Sequence, residues 1–255
     1  MQHMACIWSV PAAFLFSTYG ATAQDPVTLL EEGKALERKY KDEEAFDKYK
    51  QAYTIQPSNI QAAMKCAEIS CVLSRSTESS IRKLAFINQG LAFAEAAFRV
   101  DSSNANTRYM VGFVYRYLAE NEDKKEKATE YLKLWKVWAE KALAIDSLHP
   151  RASHLLGSWH LEVLTLGGVR KATVKLLYGG VDIPSVSEGV RLMEWCKEKE
   201  PYYCANFLDL AKLYNFNRNY EKAIQTLERL GKLPTRRSED IAFKEEGKEL
   251  LQKLQ

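Results

Sequence analysis

The chain has 255 residues, of which 46% are hydrophobic, and this length and composition suffice to bury a core and argue against overall disorder. Its 36 basic and 33 acidic residues give a formal net charge of only +3. Nucleic-acid binding usually needs a much denser positive charge, so we expect no nucleic-acid partner. Only 12 glycines and 7 prolines interrupt long stretches rich in alanine, leucine, glutamate and lysine. Those residues favour helices, and the sequence predicts an all-α fold.

The first 23 residues differ in kind from the rest. No charged residue stands between Ala5 and Gly20, and this apolar run ends in Ala21-Thr22-Ala23 before Gln24. A short apolar region with a small-x-small cleavage site is typical of a secretory signal peptide, although little positive charge precedes it. A membrane anchor is the alternative, but the run is shorter than the roughly 20 residues of a spanning helix. We expect residues 1–23 to be a signal peptide, residues 24–255 to form one domain, and the protein to be periplasmic or secreted.

Export would place four cysteines in a compartment that permits disulfides. Cys66 and Cys71 stand five positions apart on one predicted helix, where their side chains point to different faces. Cys196 and Cys204, on either side of Pro201, are the pair with more chance of bridging. Buried free thiols are the other interpretation, and the one we favour.

A repeat begins near the start of the expected domain. Its large, small, small, aromatic, small and helix-stopping positions are Leu29, Gly33, Ala45, Tyr49, Ala52 and Pro57. These spacings match the tetratricopeptide pattern of about 34 residues, in which each repeat is a hairpin of two helices. Antiparallel helices approach closely only where a small residue on one faces a large residue on the other. We expect that close contact at Gly33 and Ala45.

The end of this pattern, a small residue followed by an apolar one and a turn, occurs five times. It is found at Ala52-Ile55-Pro57, Ala97-Val100-Ser102, Ala142-Ile145-Ser147, Cys196-Pro201 and, loosely, Leu230-Pro234. The first intervals exceed one repeat by about three turns of 3.6 residues, so the middle hairpins should be longer than standard. The sequence predicts a tetratricopeptide-like solenoid of five helical hairpins. A last helix from Arg236 to Gln255 should cap it, with its charges in solvent.

Three stretches carry a more specific signal. They are Leu156-Gly157-Ser158-Trp159-His160-Leu161-Glu162-Val163, the insertion Lys175-Leu176-Leu177-Tyr178-Gly179-Gly180, and Pro201-Tyr202-Tyr203 followed by Asn206, Leu210-Ala211-Lys212 and Tyr214. Together they resemble the regulator of microtubule dynamics family, over roughly residues 107 to 255. The resemblance implies a non-enzymatic helical-repeat module. It also implies kinship with eukaryotic members that act at organelle membranes, with microtubule association and lipid binding.

The chain differs from those members in its cleavable-looking signal and in having no acidic receptor-binding tract. It resembles a bacterial-type exported member, and we expect the family name to transfer the fold rather than microtubule binding.

The concave face of such a solenoid is lined by the first helix of each hairpin, about half a turn from the packing positions. Mapping from Gly112, Gly157 and Ala211 selects a mixture of aromatic, amide and basic side chains that suits an extended peptide or an acidic ligand. The residues are Asn106, Tyr109, Phe113, Arg116, Arg151, His154, Ser158, Leu208, Lys212 and Asn215. Chance surface chemistry is the alternative. A carboxylate clamp for acidic tails is disfavoured, because Leu30 and Lys34 stand where that clamp needs Lys and Asn.

The insertion, residues 165–185, has Val169, Ala172, Leu176 and Leu177 at helical spacing and basic residues elsewhere. A basic amphipathic segment of this kind suits a membrane surface or the cover of an apolar groove. Packing of its apolar face on the neighbouring hairpin is the interpretation we favour.

No motif for catalysis is present: the sequence has no nucleophile elbow, phosphate loop or His-Glu-x-x-His helix. His149, His154 and His160 are separated by five and six positions, unlike the i, i+4 pair of helical zinc sites. We expect His160 in the core and His154 at the groove. The sequence therefore predicts a non-catalytic scaffold, with no cofactor or metal, that binds a protein or peptide in its concave groove. The alternative is a carrier of lipid or another apolar ligand that uses the insertion.

Overall fold

The computed structural model describes residues 25–167 and 184–255, and within these ranges all regular structure is α-helical. The predicted signal peptide and the amphipathic part of the predicted insertion lie outside the described residues. The helices are α1 (Pro26–Glu37), α2 (Asp42–Ile55), α3 (Ile60–Arg75), α4 (Ser80–Val100), α5 (Ala105–Asn121), α6 (Lys125–Leu143), α7 (Pro150–Thr165), α8 (Val186–Lys199), α9 (Cys204–Phe216), α10 (Tyr220–Lys232) and α11 (Glu239–Leu254). None of these helices is long and apolar enough to cross a membrane.

Consecutive helices pack as five hairpins, α1–α2, α3–α4, α5–α6, α7–α8 and α9–α10, and α11 packs against the last hairpin. This confirms the predicted solenoid. The first helices of the second to fifth hairpins also contact one another in turn, from α3 through α5 and α7 to α9. The second helices instead contact the first helix of the following hairpin. Because α3, α5, α7 and α9 are thus the more closely spaced row, they line the concave side, which we call the inner surface.

The helix ends follow from local sequence. Pro26 and Pro150 occupy first-turn positions, where a missing N–H costs nothing. Side chains of Asn59 and Ser79 accept hydrogen bonds from the exposed N–H groups at the starts of α3 and α4. The middle hairpins are longer than the outer ones, since α4 has 21 residues whereas α2 has 14. The predicted lengthening is confirmed.

The turn inside the hairpin is the same in the first and the last repeat. Tyr40 and Arg218 both have a positive φ, 59° and 60°, just after α1 and α9. The N–H of Lys41 donates to the carbonyl of Leu36 at 3.1 Å, and that of Asn219 donates to Tyr214 at 2.9 Å. These bonds close the helix end in the same way at both positions. The first and last repeats therefore share a backbone conformation as well as a sequence pattern.

Small residues allow the helices of a hairpin to approach. A Cβ placed on Gly33 would lie 2.7 Å from Cζ of Tyr49, and one on Gly157 would lie 2.8 Å from Cγ of Met193. Gly33 was expected to face Ala45, which is fully buried, but the Tyr49 ring on the next turn of α2 is what covers it. A small residue therefore faces a large one at this crossing, as the rule requires, but the residue that covers Gly33 is Tyr49 and not Ala45.

Two tryptophans fix the crossing of α6 and α7. The indole N–H of Trp135 donates to the carbonyl of Leu155 at 2.7 Å, and that of Trp159 donates to the carbonyl of Leu132 at 3.0 Å. Both side chains are only 1% exposed. A buried indole needs such a partner, and here each helix supplies the acceptor for the other. The Trp-His stretch is thus a packing motif.

The predicted burial of His160 is confirmed. Its Nδ1 accepts a hydrogen bond of 3.2 Å from the backbone N–H of Ser185, the residue that caps α8. His160 therefore ties α7 to the start of the next helix.

The four cysteines of the described region are buried free thiols, as the sequence favoured. Burial raises the pKa of Cys66, Cys196 and Cys204 to about 12 in each case. These thiols therefore stay protonated at neutral pH and act as small apolar core residues.

Two expectations about the last helix are wrong. α11 begins at Glu239 and not at Arg236, because the carboxylate of Asp240 accepts the backbone N–H groups of Arg236 and Arg237 at 2.8 and 3.0 Å. Residues 236–238 therefore form a turn. The charges are also not all solvated, since Asp240 is 5% exposed and the side chain of Glu239 is 7% exposed.

Replacing Gly33 with alanine should destabilise the fold, because the buried Tyr49 ring must move to admit the methyl group. We expect a loss of about 1–3 kcal/mol in the free energy of unfolding, measured by denaturant titration. Gly231→Ala is the matched control, because nothing lies within 4 Å of a Cβ there. That variant should be neutral or slightly stabilised, since alanine favours helix over glycine. Equal stability of the two variants would contradict the packing described.

Candidate functional site

The inner surface carries a row of aromatic rings on α5. Tyr109, Phe113 and Tyr117 follow one another at i, i+4 spacing, with ring centroids 5.9 and 5.1 Å apart. His149 extends the row, 5.4 Å from Tyr109, and its Nε2 lies 3.1 Å from Oδ1 of Asn106. The three rings on α5 are each less than a tenth exposed. Of the residues selected from the sequence, Tyr109 and Phe113 therefore form the floor of this surface, whereas Asn106 is exposed at its edge.

The centre of the inner surface is a buried carboxylate, Asp209 of α9. Its Oδ2 accepts a hydrogen bond from Nη2 of Arg116 at 3.0 Å and lies 3.0 Å from Nε2 of His154. Arg116 also bonds Glu120 at 2.7 Å. Arg116 lies on α5, His154 on α7 and Asp209 on α9. Their contact therefore joins three hairpins. Arg116 and His154 were selected from the sequence, but Asp209 was missed.

The protonation states at this centre follow from burial and charge. Burial raises the pKa of Asp209, but Arg116 and the bond from His154 outweigh it and hold that pKa well below its usual range. Burial lowers the pKa of His154 more strongly than Asp209 raises it. At neutral pH the carboxylate is charged, and His154 is a neutral ring that donates its Nε2 hydrogen.

Arg151, also selected from the sequence, forms the next contact along α7. Its guanidinium lies 3.6 Å from the centroid of the Tyr203 ring and 2.8 Å from Oε2 of Glu200. Tyr203 in turn meets His154 edge to face at 4.9 Å. Arg151 and Glu200 also border a cleft of about 490 Å³ that is open to solvent. The other side of the cleft is formed by Tyr202 and by residues 236, 237 and 240.

The chain itself lies across part of the inner surface. We call residues 233–238, which join α10 to α11, the closing segment. The carbonyl of Thr235 accepts a hydrogen bond from the Tyr40 hydroxyl at 3.0 Å, and Arg237 forms an ion pair with Glu68 of α3. The Tyr117 hydroxyl donates to Glu239 at 3.5 Å. The closing segment thus contacts the first and second hairpins, and Glu239, the first residue of α11, contacts the third.

The last two selected residues, Lys212 and Asn215, do not join this cluster. Lys212 forms an ion pair of 2.7 Å with Glu246 of α11, and Asn215 is half-buried near the end of α9. Whether any of the selected residues binds a partner stays a prediction. The three histidines serve three separate contacts, and no group of three or more His, Cys, Asp or Glu that could hold a metal occurs in the described ranges.

Known proteins are similar to this chain in sequence and in fold. Residues 29–255 match the family model described as regulator of microtubule dynamics protein 1-3. The chain belongs to the regulator of microtubule dynamics family. The family match begins in α1, whereas the resemblance seen in the sequence begins only near residue 107. The first two hairpins are thus part of the family domain.

A relative in Xenopus laevis, regulator of microtubule dynamics protein 3, is 28% identical over 165 residues, which is 64% of this chain and 35% of that protein. The chain therefore spans about a third of the length of this member of the regulator of microtubule dynamics family. A thermophilic tetratricopeptide-repeat protein of Thermus thermophilus superposes with a TM-score of 0.62 at 14% identity, over 89% of this chain and 99% of that one. This likeness shows the shared fold.

Removing the charge of Asp209 should loosen the contact between three hairpins. We expect Asp209→Asn to lower the free energy of unfolding at pH 7 by about 2–3 kcal/mol, because Arg116 then keeps Glu120 but loses its buried anionic partner. Asp123→Asn, at an exposed site between α5 and α6, is the matched control and should change stability little.

The same pair of variants tests the pKa of Asp209. Because the folded pKa is depressed, the contribution of the carboxylate is complete above its unfolded value of about 3.9 and is lost as pH falls through the folded value. The difference between wild type and Asp209→Asn should therefore shrink in acid. A difference that is independent of pH would contradict the assignment.

Proposed function

We propose that this chain is a non-catalytic helical-repeat adaptor that binds a protein or peptide partner on its inner surface. The observation that supports this most directly is that the inner surface already holds polypeptide. The closing segment lies on it through the ion pair of Arg237 with Glu68 of α3, and the carbonyl of Thr235 fixes the segment to Tyr40 of the first hairpin. A surface that accommodates a non-helical segment of its own chain offers the kinds of donors and acceptors that a bound peptide uses.

Two further features support the proposal. Arg151 and Tyr202 line the open cleft, and arginine and tyrosine are among the residue types that dominate binding energy at interfaces. The helices beneath them are fixed by buried tryptophan bonds and by the Asp209 contact, so the surface is preorganised. A preorganised surface loses little conformational entropy when a partner binds. Repeat solenoids in general use such extended concave surfaces for binding.

The open cleft beside the closing segment is where we propose that a partner first makes contact. Tyr202 is 43% exposed at its edge, and the guanidinium of Arg236 lies 4.0 Å from the Tyr202 ring. Aromatic residues and arginine are both enriched in protein interfaces. The lipid-carrier alternative depends on residues 165–185, most of which lie outside the described residues, so it stays a prediction.

A photo-crosslinking residue in place of Tyr202 tests this site in the host cell. We expect a defined protein adduct, with intensity reduced by a second substitution, Arg151→Ala, in the same cleft. The control is the same crosslinker at Tyr220, which is 49% exposed at the other end of α9, about 20 Å away at 1.5 Å per residue. Adducts of equal yield at both positions, or at neither, would argue against partner binding at the cleft.

We also propose that the protein acts outside the cytoplasm, a proposal that rests only on the sequence of residues 1–23. Intact mass measurement of the protein purified from its host should then give a chain that starts at Gln24. A mature chain that retains Ala5–Gly20 would refute export by a cleaved signal.

A further inference from the structure

Arg237 lies in an acidic pocket on the inner surface. Its guanidinium pairs with Glu68 of α3 and lies 3.6 Å from Oε1 of Glu239, while its own side chain is 31% exposed. Glu68 is also bonded to Lys65 at 2.9 Å, and Lys65 reaches Glu37 at 3.1 Å. Arg237 therefore sits at the solvent side of a network that contains three carboxylates, and every other member of that network is more deeply placed.

The pocket depends on the positive charge that Arg237 brings. Burial raises the pKa of Glu68, yet Arg237 and Lys65 outweigh burial and keep that pKa well below its usual range. Burial raises the pKa of Glu239 above its usual range even with Arg237 and Arg75 nearby. Without Arg237, the carboxylates of Glu37, Glu68 and Glu239 would face only Lys65 and Arg75. The fixed helices thus build a site for a guanidinium.

The closing segment is fixed at its two ends and held between them by polar contacts. Leu233 is 3% exposed, and Lys244 of α11 donates to the carbonyl of Leu233 and, at 2.9 Å, to the hydroxyl of Thr235. Pro234 and Arg236 are exposed, and the segment reaches the first two hairpins through the carbonyl of Thr235, the guanidinium of Arg237 and the hydroxyl of Ser238. Polar contacts of this kind open at lower free-energy cost than a helix packed through buried apolar side chains.

We infer that the inner surface is a receptor for an arginine-containing peptide, and that the closing segment occupies this receptor site in cis. A partner would place its arginine against Glu68 and displace Arg237, with flanking residues in the positions of Thr235 and Arg236. The inference rests on the proposed function, because it assigns a chemical class to the partner of the same surface. It adds that the free protein is partly self-blocked.

A peptide added in trans tests the inference on the full chain. The probe is a fluorescent synthetic peptide with the sequence of residues 233–238, Leu-Pro-Thr-Arg-Arg-Ser, and its control peptide has alanine in place of the second arginine. We expect Arg237→Ala protein to bind the probe at least about tenfold more tightly than wild type, because the self-blocked fraction is removed. The control peptide should lose most of this affinity.

Arg229→Ala, an exposed arginine-to-alanine change on α10, is the matched protein control and should bind the probe like wild type. Binding that is equal in wild type and Arg237→Ala, or that does not need the second arginine, would overturn the inference. If Arg237→Ala fails to fold, hydrogen exchange of the wild-type chain tests the inference instead. A large excess of the probe should then speed exchange at residues 235–238, and unchanged exchange there overturns the inference.

The inference and the proposed function fail separately. Adducts at Tyr202 that persist in excess probe peptide would support a partner on the inner surface. They would refute the inference that this surface is specific for arginine. Specific binding of the probe with no adduct at Tyr202 in the host would uphold the arginine pocket and refute the proposed adaptor role at that cleft.

Discussion

The close approach of paired helices at small residues is the constraint on which the rest of the structure depends. Gly33 lies under the Tyr49 ring, Gly157 under Met193, and a Cβ on Gly112 would lie 3.0 Å from both Leu155 and Trp138. Gly112 meets the second helix of its own hairpin through Trp138 and the first helix of the next hairpin through Leu155. The first helices from α3 to α9 contact one another in turn, and this row places Arg116, His154 and Asp209 within hydrogen-bonding reach.

The fold could be predicted from the sequence because each hairpin is specified by short-range signals. The spacing from Leu29 to Pro57 contains one entire repeat, and the Trp-His stretch marks the tight crossing of the fourth hairpin. The helix boundaries follow from caps and prolines within a few residues. The start of α11 was predicted wrongly, because the carboxylate of Asp240 accepts hydrogen bonds from the N–H groups of Arg236 and Arg237 and so prevents helix there.

The site could be predicted only in part, because its contacts join distant parts of the chain. The half-turn offset from the packing positions correctly placed Tyr109, Phe113, Arg116 and His154 on one surface. It could not identify Asp209, whose role appears only when three hairpins meet. Arg237 gave no signal at all, since it lies in a turn without periodicity and pairs with a residue 169 positions earlier in the chain. Periodicity identifies faces, whereas the pairing of charges across a solenoid depends on its curvature.

The charges of the inner surface also restrict what can bind there. A buried polar network is favourable only when every member is satisfied, and removal of one partner from such a network costs more than the pair itself contributes. The carboxylates beside Arg237 therefore require a cation whether the closing segment is in place or not. An apolar peptide that displaced the segment would leave Glu68 with Lys65 as its one cationic partner and would remove the Arg237 charge that lowers the pKa of Glu239. The same electrostatics that seat the closing segment thus reject ligands without a guanidinium or an equivalent cation, and specificity arises from the cost of leaving the pocket unfilled.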